Sequence, residues 1–109
     1  MKIRDLDIAG WRRVVHVSDA AAGLEAIISV HDATLGPACG GCRMRPYASF
    51  EDALVDVKNL SRGMTYKNAM GGIPFGGGKA VIIGDPKTAK SSALFRAFGD
   101  ALNALDGLY

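Results

Sequence analysis

The pattern of apolar and polar positions predicts strands first and helices later. Trp11 to Val17 is rich in β-branched residues (Val14, Val15, Val17) and reads as a strand. Asp19 to Gly23 carries turn chemistry ahead of a second run, Leu24 to His31. In that run Leu24, Ala26, Ile28 and Val30 fall on one face, and Glu25, Ile27, Ser29 and His31 on the other. The second face is mixed, so the strand is expected to be covered on both sides for part of its length. Together the two runs suit an antiparallel hairpin. Residues 1–10 show no comparable pattern and read as a short helix or turn. Leu35 to Arg45 reads as a loop entering a third extended segment. Its adjacent glycines, Gly40 and Gly41, mark either a bulge or a close approach of the backbone to a ligand.

The period then changes. Ser49 is a good N-cap, with Asp52 three residues on, and Phe50, Leu54, Val57, Leu60 and Met64 recur at helical spacing. Lys67, seven residues beyond Leu60, is expected to point close to the same buried direction as that stripe. Ala80-Val81-Ile82-Ile83, bounded by Gly84-Asp85-Pro86, suits a strand buried on both faces and reached by a helical crossover. A last helix is expected from about Ser91 to Leu105, with Leu94, Phe95, Phe98, Ala101, Leu102 and Leu105 as its stripe. The order β-β-β-α-β-α predicts an α/β fold, a small mixed sheet flanked by helices, in a single domain over residues 1–109.

Composition narrows the function classes. The 109 residues are 49% hydrophobic and 22% charged, the balance of a globular domain. The net charge of +2 is spread along the chain and forms no basic patch, which weighs against nucleic acid. No run approaches the roughly 18 apolar residues of a membrane helix. The first ten residues lack a signal-peptide core, so a cytoplasmic location is expected. Cys39 and Cys42 form a C-x-x-C in extended chain. A structural zinc would need two more ligands, and His16 and His31 both read as strand residues, so no metal site is expected. The cysteines read instead as small hydrophobes around the glycine pair.

Arg62 to Pro86, RGMTYKNAMGGIPFGGGKAVIIGDP, holds the chemistry. Lys67 ends a helical pattern and Lys79 opens an apolar strand, where desolvation should lower a lysine's pKa as a general base requires. Glycines fill most of the space between. The arrangement suits a small anionic substrate gripped between two ammonium groups. GGGKA is not a phosphate loop, because Ile73 stands where the first glycine belongs and Ala80 where the hydroxyl belongs. No G-x-G-x-x-G follows a strand, so the chain carries no evident dinucleotide site of its own.

The combination of GG-x-RM, RGMTYK and GGGK resembles the N-terminal, substrate-binding and dimerisation domain of the glutamate/leucine/phenylalanine/valine dehydrogenases, most of all the leucine branch. The resemblance runs from about Trp11 to Tyr109. It implies reversible oxidative deamination of an L-amino acid, leucine-like, to the 2-oxo acid and ammonia, with NAD as hydride acceptor. By the same resemblance Lys67 grips the substrate α-carboxylate and Lys79 is catalytic, activating the water that attacks the imino intermediate. Gly40 and Gly41 line the substrate pocket, Met64 lies close to it, and Cys39 helps shape the side-chain pocket. The family implies a homo-oligomer, and a C-terminal Rossmann domain, absent from these 109 residues, that holds the NAD. The isolated chain is therefore expected to be inactive. The alternative is a non-enzymatic binder of amino or oxo acids, or an oligomerisation module. Cys39 and Cys42 replace the aliphatic and threonine residues expected there, which leaves the preferred amino acid open.

Overall fold

A computed structural model describes all 109 residues. Six strands form one mixed sheet: β1 (Lys2–Leu6), β2 (Arg13–Asp19), β3 (Leu24–Asp32), β4 (Ala38–Cys39), β5 (Cys42–Arg45) and β6 (Gly76–Ile83). Two helices accompany them, α1 (Phe50–Met70) and α2 (Ser92–Ala104). The sheet order is β1-β2-β3-β6-β4, with β5 also on β6. β1 to β3 and then β6 are antiparallel neighbours, whereas β4 and β5 run parallel to β6. α1 supplies the crossover between β5 and β6, as a parallel pair requires.

The sheet is covered on both faces for part of its width. On one face Val15, Val17, Ala26, Ile28, Ala80 and Ile82 pack with Leu94, Ala97, Phe98 and Ala101 of α2. On the other, Val14, Ile27 and Val81 pack with Ala53 and Val57 of α1. The mixed second face expected for β3 is the α1 face, where Ile27 and Ser29 are both buried.

Both helices begin as their caps dictate. Ser49 Oγ accepts from the Asp52 amide and Ser91 Oγ from the Leu94 amide, each at 3.1 Å. α1 ends in a Schellman motif. Gly72 takes a φ of 70°, its amide donates to Ala69 O, and the Ile73 amide donates to Asn68 O.

Three expectations need correction. Residues 1–10 contain a strand, β1, with Ile3 opposite Val17 and Leu6 opposite Val14. Its partner, not its own pattern, makes it β, so no local signal announces it. β6 starts at Gly76 rather than at Ala80, because Gly76, Gly77 and Gly78 are all paired with neighbouring strands. Lys79 therefore sits inside the strand. Finally, the seam of α1 is formed by Ala53, Val57, Ser61 and Asn68, while Leu54, Leu60 and Met64 are half-buried and Lys67 is exposed. The cause is glycine. A Cβ on Gly77 would lie 2.1 Å from the Thr65 nitrogen, so α1 approaches β6 too closely for large residues at that end.

Candidate functional site

Side chains alternate along β6, so Lys79 leaves the sheet on the same side as Gly77 and Val81, the α1 side. It is half-buried. Lys67 lies in the last turn of α1, over that same face, and is exposed. Neither lysine has a carboxylate partner: the salt bridges are Arg13–Asp5, His16–Glu25 and Arg43–Asp56. Two uncompensated ammonium groups on one side of the sheet make an electropositive end suited to a carboxylate.

The glycine pair separates β4 from β5, yet no residue is inserted. Cys39 faces Gly77 and Cys42 faces Ala80, the same three-residue step on both strands. The bulge reading therefore fails, and Gly40 lies against the backbone of β6. A Cβ on Gly40 would lie 1.6 Å from the Gly78 carbonyl oxygen and 3.4 Å from Met64 Cγ. On Gly41 a Cβ would lie 3.2 Å from Lys79 Nζ. Gly40 thus lets two backbones touch, and Gly41 leaves room for the ammonium. The structure brings Lys79, Gly40, Gly41 and Met64 together; Lys67 stays at the rim.

Cys39 and Cys42 flank this gap as free, exposed cysteines. Three steps of extended chain separate their Cα atoms by ~10 Å, beyond the ~7 Å limit of a disulfide. Partial desolvation pushes the Cys42 thiol above its usual pKa, against the opposing pull of the Lys79 charge. No group of three or more metal-ligating side chains is present. Between the β4–β5 edge and α2 lies a groove of about 480 Å³, lined among others by Cys39, Gly40, Cys42, Phe75, Phe98 and Tyr109.

Several residues of the site carry no local sequence signal. Asn68 is buried next to exposed Lys67, and its amide donates to Gly76 O at 2.9 Å and Cys39 O at 3.3 Å. It ties α1 to both β4 and β6. Tyr109 Oη donates to Gly41 O at 2.8 Å and Gly40 O at 3.1 Å. Behind Lys79, Ser61 receives the Trp11 indole N–H at 3.2 Å and meets Ser29 Oγ at 2.8 Å. His31 Nδ1 lies 2.8 Å from Thr65 Oγ1, and burial lowers the pKa of its ring. His31 lies at the end of β3, as its sequence pattern implied.

A dinucleotide does not fit these residues. The parallel unit β5–α1–β6 is where a pyrophosphate would meet a helix N-terminus. Pro46-Tyr47-Ala48-Ser49 leads into that helix without a glycine, and Glu51 and Asp52 occupy its first turn. Two carboxylates there repel an anion.

This small mixed sheet flanked by two helices is the architecture of an N-terminal amino-acid dehydrogenase domain. Residues 12–109 match the family described as Glu/Leu/Phe/Val dehydrogenase, dimerisation domain, and the chain belongs to that family. It is 60% identical to a phenylalanine dehydrogenase of Bacillus thermotolerans over 89% of this chain and 25% of that protein. To a leucine dehydrogenase of Geobacillus stearothermophilus it is 54% identical, over 91% of this chain and 27% of that one. The crystal structure of L-tryptophan dehydrogenase from Nostoc punctiforme superposes with a TM-score of 0.87 at 47% identity, covering 91% of this chain and 29% of that chain. The chain spans about a quarter of the length of the curated relatives it matches. No helix is long and apolar enough to cross a membrane.

Proposed function

We propose that this chain is the substrate-binding and catalytic-lysine domain of an NAD-dependent amino-acid dehydrogenase, which converts an L-amino acid and water to the 2-oxo acid and ammonia. The observation that carries the proposal is Lys79 Nζ seated in the gap opened by Gly41, on the same face as the unpaired Lys67. Lys67 holds the α-carboxylate as a charge-assisted partner. Lys79 takes a proton from the water that attacks the imino carbon. Gly41 keeps the cleft free of a side chain, Gly40 lines it as bare backbone, and Met64 and Cys39 border it. NAD, bound by a separate domain, accepts the hydride. The relatives named above act on leucine, phenylalanine and tryptophan by their names, and on that ground we take the substrate to be an apolar, leucine-like amino acid. We place the enzyme in the cytoplasm as a homo-oligomer, in line with a family described as a dimerisation domain.

Titration of the labelled chain with 4-methyl-2-oxopentanoate, followed by NMR, tests this reading. Weak binding is expected, with shifts at Gly40, Gly41 and Lys79. Lys67→Ala should weaken it about tenfold, the loss of roughly one charge-assisted hydrogen bond. Binding indifferent to Lys67→Ala, or none at all, would sink the proposal. One observation favours a second reading, a purely oligomeric module: Tyr66, Met70, Ile73 and Phe75 are exposed beside the site, Met70 at 89%.

A further inference from the structure

The interruption between β4 and β5 is not loose chain. Three consecutive carbonyls, those of Cys39, Gly40 and Gly41, each receive a hydrogen bond from outside the strand's own ladder. Asn68 Nδ2 serves Cys39 O at 3.3 Å, and the Tyr109 hydroxyl is shared between Gly40 O at 3.1 Å and Gly41 O at 2.8 Å. The Ala80 amide also donates to Gly41 O at 3.1 Å. The amides of the pair are different. A continuous parallel ladder would join the Gly41 N–H to the Gly78 carbonyl, and that bond is not made; neither Gly40 N–H nor Gly41 N–H donates to a protein acceptor.

A trans peptide is planar, with its C=O and N–H pointing opposite ways. Holding Gly40 O therefore fixes the direction of the Gly41 N–H, and holding Cys39 O fixes that of the Gly40 N–H. We propose that Tyr109 is a positioning residue of the substrate site: by binding the Gly40 and Gly41 carbonyls it aims the free Gly41 amide beside Lys79, and Asn68 does the same for the neighbouring Gly40 amide. A free amide next to the Lys79 amino group is a preorganised donor pair for one oxygen of the substrate, and its value depends on the peptide not turning. The rest of Tyr109 suits this task. Its ring packs over Gly78, where a Cβ would lie 2.5 Å from Cδ1. Burial, with the Cys42 and Cys39 thiols nearby, pushes the phenol up to about 12, which keeps it a donor at any working pH. Glycine at position 78 is thus the seat of the tyrosine ring.

The inference rests on the substrate site proposed above, and Tyr109→Phe tests it separately from that site. The variant keeps the ring over Gly78 and removes only the donor. Carbonyl ¹³C shifts of Gly40 and Gly41 should move, their backbone order parameters should fall from ~0.85 to below ~0.6, and affinity for 4-methyl-2-oxopentanoate should drop about fivefold. In the wild-type chain a Tyr109 hydroxyl proton protected from exchange is expected, with cross-peaks to Gly40 and Gly41. Unchanged carbonyl shifts and order in Tyr109→Phe, or an unprotected hydroxyl in the wild type, would overturn the role. If the wild type binds no oxo acid, the substrate reading fails, while the shifts and the hydroxyl proton still decide what Tyr109 does.

Discussion

Gly40 and Gly41 are neighbours in sequence, yet alanine at each should do opposite things. Neither has a positive φ, so alanine brings no backbone strain to confuse the comparison. At Gly40 the added methyl would overlap the Gly78 carbonyl oxygen at 1.6 Å and its carbon at 2.7 Å. Both are backbone atoms of the same sheet, and no rotamer change can relieve the clash. The edge strand must part from β6. Parting removes the bonds of Asn68 to Cys39 O, of Tyr109 to the glycine carbonyls, and of Ala80 to Gly41 O. At about 1 kcal/mol net for each of these contacts, the loss is about 3 kcal/mol, a large part of the 5–15 kcal/mol that holds a domain together. At Gly41 the methyl meets only the end of a flexible side chain, Lys79 Nζ at 3.2 Å. That costs under ~0.5 kcal/mol of stability, but it pushes the ammonium out of its gap. Urea unfolding followed by circular dichroism, with oxo-acid titration of the folded variants, separates the two. Gly40→Ala should lower the midpoint by ~1–3 M for an m-value of ~1–3 kcal/mol/M. Gly41→Ala should unfold like the wild type and bind several-fold more weakly. A Gly40→Ala chain as stable as the wild type, or two variants equally destabilised, would refute the assignment of separate roles.

Ser61→Ala should cost about 1–3 kcal/mol in urea unfolding, because the Trp11 indole and the buried Ser29 hydroxyl both lose a partner; a change below 0.5 kcal/mol would show the serine pair to be slack. His31 titrates below its ordinary 6.5 in the folded state, chiefly through burial, so the unfolded chain takes up the proton first. Stability should therefore fall as pH drops below about 6.5 and level off below the folded value, and His31→Gln should flatten that slope; an unchanged slope would assign it elsewhere. After mild oxidation, mass spectrometry should find Cys39 and Cys42 without a mutual disulfide, and alkylation of Cys42 should have its midpoint above 9.0. A Cys39–Cys42 bridge would contradict the extended edge strand.

What the sequence determined by itself was whatever depends on local chemistry and periodicity. The β2–β3 hairpin, both capped helices, the parallel β6 behind a helical crossover and the mixed sheet were all legible, because caps, β-branched runs and apolar stripes act over a few residues. Lys79 and the glycine pair also stood out, since a charged side chain or two adjacent glycines in a strand come at a cost. Tertiary structure decided the rest. β1 is a strand only because β2 lies beside it. The seam of α1 runs through Ala53, Ser61 and Asn68 rather than the larger Leu60 and Met64, because glycines in β6 draw the helix close. The grip of Tyr109 on Gly40 and Gly41 spans almost 70 residues of chain. No spacing rule reaches that far, since such a contact exists only once the sheet has closed around it.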